Sequence, residues 1–219
     1  MSYQIAIDGP AGAGKSTIAK KVAKEKAFIY VDTGAMYRAM AYYLLCRGVD
    51  PLDDAAVAAA CMEADVTITH EKGEQVVLLN GENVNSVLRT EEVGNMASAC
   101  VSKNPKARER LTTLQKAIAA KNNVVMDGRD IGTCVLPDAD VKVYLTASTG
   151  VRAKRRYDEL AAKGEETDLA QIEEDIRKRD EQDMNRKIAP LKQAEDAVLI
   201  DSSHMTIDEV VQAILDLCK

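Results

Sequence analysis

The chain has 219 residues, a length that fits one domain or two and allows a sizeable core. Hydrophobic residues make up 46% and charged residues 29%, a balance typical of a globular protein rather than a disordered or membrane-embedded one. The net charge of −6, the single Phe and the lack of Trp disfavour nucleic-acid binding, which uses a basic surface and stacked aromatic rings. A small charged ligand held by local arginines stays compatible with this composition.

The five cysteines disfavour both a disulfide framework and a zinc site. Cys46, Cys61, Cys100, Cys134 and Cys218 are scattered, odd in number and without a C-x-x-C pair, and the chain has only two histidines. The N-terminus shows no secretion signal, and no apolar run approaches the roughly eighteen residues of a membrane span. We therefore predict a reducing, cytoplasmic location and no membrane partner.

Short apolar runs alternate with helical sequence along the chain. The runs cover residues 5–7, 28–31, 124–126, 141–145 and 198–200, and the first helix covers Lys15 to about Lys26. Continuous apolar runs of this length are typical of parallel strands that helices cover on both faces. The pattern predicts an α/β fold with a doubly wound, five-stranded parallel sheet, in which ligands bind at the carboxyl ends of the strands.

Two segments interrupt this alternation. Residues 65–85 alternate β-branched and polar side chains around Lys72-Gly73 and Asn80-Gly81, which predicts a small antiparallel β-meander. Residues 149–164 form a basic helix that ends in Lys-Gly, a charge-dense helix covers 168–184, and 206–217 carries an ordinary packing stripe. We predict a single chain with a core of 1–34, 105–148 and 186–219, a substrate-binding region of 35–104 with its insertion at about 65–85, and a lid with its following helix at 149–185.

The sequence IDGPAGAGKST after the first strand matches the phosphate-loop pattern G-x-x-x-x-G-K-[ST]. Backbone N–H groups of such a loop surround a polyphosphate, Lys15 reaches the outer phosphates, and the Ser16 hydroxyl holds Mg²⁺. The alternative is a Gly/Ala-rich turn that binds nothing, which the preceding strand and following helix disfavour. The predicted nucleotide-binding residues are Gly9, Pro10, Ala11, Gly12, Ala13, Gly14, Lys15, Ser16 and Thr17.

Charged residues follow two other strands. Arg38 lies one helical turn after Gly34, where it can return to the strand end and bind a phosphate, or be a solvated surface arginine. Asp127 ends a buried strand, as do acids that support Mg²⁺, and Arg129 follows it. The alternative for this second group is a turn salt bridge, which stabilises by under about 1 kcal/mol.

Two charged helices could either bind a ligand or simply face solvent. Arg179, Asp183 and Arg186 share one helix face, but their helix is so rich in charge that it also reads as a solvated, ion-paired one. The basic stretch 152–156 is either a solvated face or a lid that closes over phosphates. A phosphate loop with surplus arginines predicts a second anionic substrate, hence a kinase of a small phosphorylated molecule.

The motifs IAIDGPAGAGKST, DTGAMYRAMA, RTEEV, MDGRDIGT and RDEQDMNRKIAPL, in this order and spacing, resemble the bacterial cytidylate kinases of the nucleoside monophosphate kinase family and P-loop NTPase superfamily. The resemblance covers nearly the whole chain, and the β-meander resembles the extension that distinguishes the bacterial CMP enzymes. It implies transfer of the γ-phosphoryl group of ATP to CMP or dCMP with Mg²⁺. We expect the chain to be a monomer.

The resemblance also implies residue roles. The ATP site and its Mg²⁺ correspond to the phosphate loop with Ser16, and the lid arginines Arg152 or Arg156 approach the transferring phosphoryl group. We predict Lys15, Asp127, Arg129, Arg152 and Arg156 as catalytic residues, with Asp127 either a metal-shell acid or a substrate contact. Thr33 stands where the family has Ser, and one extra residue before Arg108 makes Ser102 an alternative to Ser98. The acceptor-binding residues implied are Thr33, Arg38, Ser98, Arg108, Arg129, Asp130, Arg179, Asp183 and Arg186, with Ser98 and Arg108 for the base and Asp183 for the sugar.

Two other functions stay open from the sequence. A kinase for another nucleoside monophosphate or small metabolite fits the same motifs, and so does a P-loop regulatory NTPase or binding module, although no N-K-x-D guanine motif is found.

Arg108 favours cytosine because cytosine O2 and N3 accept hydrogen bonds, whereas the N3–H of uracil faces the arginine donor to donor.

Overall fold

The computed structural model describes residues 2–71 and 74–218. The strands are β1 (Gln4–Asp8), β2 (Ile29–Asp32), β3 (Val66–Glu71), β4 (Glu74–Leu79), β5 (Glu82–Asn83), β6 (Val124–Gly128), β7 (Val141–Thr146) and β8 (Val198–Asp201). The α-helices are α1 (Lys15–Lys26), α2 (Thr33–Cys46), α3 (Asp54–Glu63), α4 (Glu91–Met96), α5 (Pro105–Lys121), α6 (Thr149–Ala162), α7 (Leu169–Asn185) and α8 (Ile207–Leu217). Two π-helical turns cover Ala97–Val101 and Ile131–Val135.

The predicted five-stranded parallel sheet is confirmed, with the order β2-β6-β1-β7-β8. The strand β1 is central, and its Ile7 lies beside Asp127 of β6 and Val143 of β7. Ile5 and Ile7 are fully buried because helices cover both faces of the sheet. This register brings the carboxyl ends of β1 and β6 to one edge of the sheet, where Asp8 and Asp127 lie.

The predicted antiparallel meander is also present, as a separate sheet of the order β3-β4-β5. Val66 to Glu71 pair with Leu79 back to Glu74, and the predicted Lys72-Gly73 turn lies outside the described residues. Asn80 and Gly81 both have positive φ, 51° and 84°, as the two central residues of a type I′ hairpin turn require.

The described chain divides into two compact units, and β2 lies where it passes from one to the other. The first unit covers Tyr30–Asn122, and its core surrounds α2, whose Met36, Met40 and Leu44 are fully buried. The second unit comprises Tyr3–Ile29 and the chain from Asn123 onward, and it contains the phosphate loop. The division into core, substrate-binding region and lid that the sequence predicted stays a prediction. In the described ranges, no helix has both the length and the apolar character needed to cross a membrane.

Candidate active site

The loop from Gly9 to Gly14 leaves the central strand and ends at the first turn of α1. Gly9, Gly12 and Gly14 have φ of 151°, 74° and 84°, a region that side chains with a Cβ rarely adopt. At Gly9 a Cβ would also collide with the carbonyl oxygen of Leu145 on β7. α1 begins directly after this loop, and its N-cap residue, Gly14, has no side chain to cap the first turn, which is the arrangement of an anion site.

Lys15 is buried in this loop. Its Nζ donates to the carbonyl oxygen of Pro10 at 2.7 Å, and its residue is 6% exposed. Burial, together with the nearby charge of Arg129, lowers the pKa of Lys15 to about 7, although Asp127 and Asp8 act in the opposite direction. A bound phosphate would stabilise the charged form of this group, because a phosphate oxygen carries negative charge whereas the Pro10 carbonyl is a neutral acceptor.

Ser16 lies beside the acid that the sequence placed at the end of β6. The Ser16 hydroxyl donates to Asp127 Oδ2 at 2.9 Å, and Asp127 is 4% exposed. A hydroxyl and a carboxylate next to a phosphate site are the hard oxygen donors that Mg²⁺ uses together with waters and substrate phosphates. No group of three or more His, Cys, Asp or Glu that could hold a metal occurs in residues 2–71 and 74–218.

Asp8, at the end of β1, is an acid that the sequence analysis did not select. Its two carboxylate oxygens accept hydrogen bonds from the backbone N–H groups of Ile131 and Gly132, each at 2.7 Å. Burial raises the pKa of Asp8 to about 6, although these two hydrogen bonds oppose the shift. Asp8 therefore anchors the turn that follows Asp127 to the start of the phosphate loop.

Arginines and acids of the β6 exit and α7 form one buried network. Arg129 Nε donates to Asp183 Oδ2 at 2.8 Å, while Arg186 contacts Asp130 at 3.2 Å and Asp183 at 3.7 Å. Burial alone would raise the pKa of Asp183, but Arg129, Arg186 and Arg179 hold it below its usual value. The structure thus brings together five of the predicted site residues and shows that the face of α7 is not merely solvated.

The two arginines of α6 that the sequence placed in a lid, Arg152 and Arg156, have different surroundings. Arg152 is 4% exposed and donates to the carbonyl oxygens of Ala147 at 2.8 Å and of Ala11 in the phosphate loop at 2.9 Å, and its Nη2 lies 2.7 Å from Asp180. Arg156 is about half exposed and pairs with Glu159 at 3.0 Å. Only Arg152 therefore contacts the phosphate loop in this conformation. Sequence analysis missed Asp180, which resembles the many other acids of its helix.

The first unit holds the other predicted residues. Thr33 is buried at the start of α2, and Arg38 Nη2 contacts both carboxylate oxygens of Asp32, at 3.3 and 3.1 Å. Arg108 is 5% exposed, with its guanidinium carbon 5.5 Å from the centre of the Tyr37 ring.

Ser98 and Ser102 lie at the first π-helical turn. Ser102 Oγ donates to the carbonyl oxygen of Ser98 at 2.8 Å, and the Ser102 N–H donates to Ala97 O, five residues back, at 2.9 Å. Such a turn contains one residue more than an α-helical turn. The assignment of Ser98 or Ser102 to the base stays a prediction.

The parallel sheet, the phosphate loop with Lys15 and Ser16, and the arginine network of the second unit define a P-loop kinase. The family model described as cytidylate kinase matches residues 5–219. A cytidylate kinase of Bacillus licheniformis is 51% identical over 215 residues, which cover 97% of this chain and 94% of that protein. A cytidylate kinase of Shouchella clausii is 48% identical over 217 residues, which cover 99% and 96%.

The chain belongs to the cytidylate kinase family. It is an ATP-dependent phosphotransferase that acts on CMP or dCMP, as the sequence motifs predicted, so the regulatory NTPase alternative does not hold. Among solved structures, an uncharacterized protein from Eubacterium ventriosum matches with a TM-score of 0.52 at 14% identity, over 98% of this chain and 97% of that one. A match at this identity shows the fold alone.

Proposed function

We propose that the chain transfers the γ-phosphoryl group of ATP directly to the phosphate of CMP or dCMP, with no covalent enzyme intermediate. An oxygen of the acceptor phosphate bonds to the γ-phosphorus of ATP while the bond to the β-phosphate oxygen breaks, and CDP or dCDP and ADP leave. The grouping of Lys15, Ser16 and Asp127 carries this proposal, because positioning and positive charge are what phosphoryl transfer needs.

Mg²⁺ belongs with ATP in this proposal. Ser16 would ligate the cation and Asp127 would hold its water shell, since the two side chains lie 2.9 Å apart at the phosphate loop. The cation, when bound, offsets the charge of the β- and γ-phosphates. Lys15 would exchange the Pro10 carbonyl for a phosphate oxygen.

The arginines would share the charge that moves between the two substrates. Arg129 and Arg186, held by Asp183 and Asp130, are oriented before substrate arrives, and orienting a cation in advance lowers the cost of reorganisation in the transition state. Arg38 and Arg179 are assigned to the acceptor phosphate, and Arg152 or Arg156 to the transferring group.

Arg108 is assigned to the base, with Ser98 or Ser102 beside it and Asp183 on the sugar. A buried guanidinium donates to O2 and N3 of cytosine, whereas uracil presents a donor at N3. A site that leaves a buried polar group unpaired discriminates strongly against the wrong base.

The test is ADP release with CMP, dCMP, UMP and AMP on the wild type and on Arg108→Met. Lys106→Met, on the exposed side of the same helix, is the matched control. We expect the ratio of kcat/KM for CMP over UMP to fall at least tenfold in Arg108→Met, with the KM for ATP unchanged. An unchanged ratio would remove Arg108 from the base site.

The oligomeric state and cellular location stay proposals. We propose a monomer, because the substrates are small molecules and the residues assigned to them all belong to one chain. Light scattering during gel filtration should give a mass close to 23.8 kDa, and a value of twice that would contradict the proposal. The cytoplasmic location remains a prediction from the scattered cysteines.

A further inference from the structure

The β-meander is a motif that neither the phosphate loop nor the arginine network accounts for. One of its side chains, Gln75 at the start of β4, is 9% exposed and turned toward the end of β2. Gln75 Oε1 accepts a hydrogen bond from the backbone N–H of Asp32 at 2.7 Å, and its Nε2 donates to the carbonyl oxygen of Asp32 at 3.3 Å. Both backbone groups of Asp32 are therefore satisfied by one amide of the meander.

Other contacts fix this amide in place. Asn85 donates to the carbonyl oxygen of Gln75 at 2.9 Å and accepts from the N–H of Val77 at 3.0 Å, so one amide side chain holds the backbone of β4 on either side of Val76. His70 on β3 lies with Nε2 2.9 Å from the carbonyl oxygen of Tyr30 on β2. The meander thus contacts β2 at two points, two residues apart along that strand.

The Asp32 carboxylate has two tasks. Its Oδ1 accepts from the N–H of Ala35 at 2.8 Å and so caps α2, and its two oxygens hold Nη2 of Arg38. Gly34 lies under this pair, where an added Cβ would stand 3.1 Å from Arg38 Nη1 and 3.2 Å from Asp32 Oδ1. A glycine at this position leaves the room that the ion pair occupies.

Arg38 retains a donor for a ligand. Its Nε is buried and has no hydrogen-bond partner in the described parts of the chain, residues 2–71 and 74–218. A buried donor without an acceptor is costly, and a phosphate oxygen would satisfy it.

We infer that Gln75 is a positioning residue for Arg38, acting through Asp32, so that the meander orients the arginine that binds the phosphate of the acceptor nucleotide. The inference rests on the proposed assignment of Arg38 to that phosphate. Gln75 and Asp32 fix the position of the guanidinium, and of these three residues only Arg38 touches the substrate. A meander that only filled space would need no hydrogen bond to the residue holding this arginine.

The test is a double-mutant cycle of Gln75→Met and Arg38→Met, with Thr67→Val, an exposed residue of the same meander, as the control. We expect Gln75→Met to raise the KM for CMP about tenfold, while kcat and the KM for ATP stay within about twofold of the wild type. In the Arg38→Met background, Gln75→Met should change the KM for CMP no further, because the residue through which it acts is gone.

The outcomes separate the two claims. If Arg38→Met leaves the KM for CMP unchanged, the phosphate assignment of Arg38 fails. If Arg38→Met raises it but Gln75→Met has no effect, or the same effect in both backgrounds, the inference alone fails.

A second variant keeps the test decisive should Gln75→Met not fold. Asp32→Asn retains a good helix cap but weakens the hold on Arg38, so the KM for CMP should rise with the melting temperature kept within a few degrees. An unchanged KM for CMP in this variant overturns the inference.

Discussion

At the scale of single residues, the phosphate loop buries the ammonium group of Lys15, and burial disfavours its charged form. Lys15 is buried, and burial lowers its pKa to about 7, while the carbonyl oxygen of Pro10 accepts a hydrogen bond from its ammonium group. The negative charge of a bound polyphosphate compensates for the burial of this ammonium group. The group therefore stabilises the protein with nucleotide bound more than it stabilises the protein alone.

Substitution of Lys15 should separate activity from stability. We expect Lys15→Met to lower kcat at least 100-fold, because a cation aimed at the transferring charge is lost. The melting temperature should stay the same or rise, because no ammonium group is then buried. Lys24→Met, on the exposed face of α1, should match the wild type in both measurements. A strongly lowered melting temperature in Lys15→Met would contradict this view of the loop.

Asp8 should make the protein less stable as the pH rises through about 6. Its pKa in the folded protein is about 6 against 3.8 in an unfolded chain, so the folded state binds the proton more tightly. The stabilisation that this proton gives is complete below about pH 4 and is lost as the pH rises past 6, about 3 kcal/mol in all.

The measurement is urea denaturation of the wild type and Asp8→Asn at pH 4.5 and 7.5. Asn does not titrate, so the wild type should lose about 2 kcal/mol relative to this variant between the two pH values. A difference in unfolding free energy that does not depend on pH would show that the Asp8 carboxyl does not carry this shift.

Sequence analysis identified the residues whose spacing follows a motif and missed those that support them. Lys15, Ser16 and Asp127 follow a phosphate loop or end a strand, and Ser16 and Asp127 meet as that placement predicts. Asp8, Asp180 and Gln75 act through backbone groups or arginines far away along the chain. Their partners are 123, 28 and 43 residues distant, and no local pattern encodes such contacts.

At the scale of elements, α6 and α7 are joined by a buried ion pair. Arg152 on α6 and Asp180 on α7 lie 2.7 Å apart, with side chains 5% and 15% exposed. Arg152 also donates to the phosphate loop, so the positions of α6 and of the loop are linked through one guanidinium. The basic stretch is therefore not simply a solvated face, although Arg156 and its Glu159 partner do lie at the surface.

Removal of the acid in this pair should cost stability. We expect Asp180→Asn to lower the unfolding free energy by about 3 kcal/mol, because it leaves the Arg152 charge buried without its partner. Glu181→Gln changes an exposed acid next in sequence and should change the value by less than about 0.5 kcal/mol. Equal effects of the two substitutions in urea denaturation would show that the ion pair contributes no more than a surface charge.

The β-meander and the π-helical turns show what a sequence pattern can predict at this scale. The Asn80-Gly81 turn was predictable, because two successive residues with positive φ favour that pair. The π-helical turn at Ala97–Val101 was not, since hydrogen bonds between residues five apart leave no periodic signal of their own. The two serines predicted for the base, Ser98 and Ser102, lie in this turn and directly after it.

At the scale of the whole molecule, the fold was predictable because the five strands are short, mostly apolar and separated by helical sequence. All five lie where the apolar runs placed them, with Ile5, Val125 and Val143 buried in the central three strands. The arrangement of residues 30–122 was less predictable. Its core forms around α2 from side chains as far apart in the sequence as Ala35 and Leu111. Contacts at that separation depend on packing, which a single sequence shows only in part.

The central claim is that this chain moves a phosphoryl group from ATP to a cytidine monophosphate. The most direct measurement follows ADP by a coupled assay and the second product by ³¹P NMR, with ATP, Mg²⁺ and each of CMP, dCMP, UMP and AMP, and with no acceptor. We predict CDP or dCDP in equal amount to ADP, and a kcat/KM for CMP or dCMP at least 100-fold above those for UMP and AMP. ADP formed at the same rate without an acceptor, or faster turnover of AMP or UMP than of CMP, would contradict the claim.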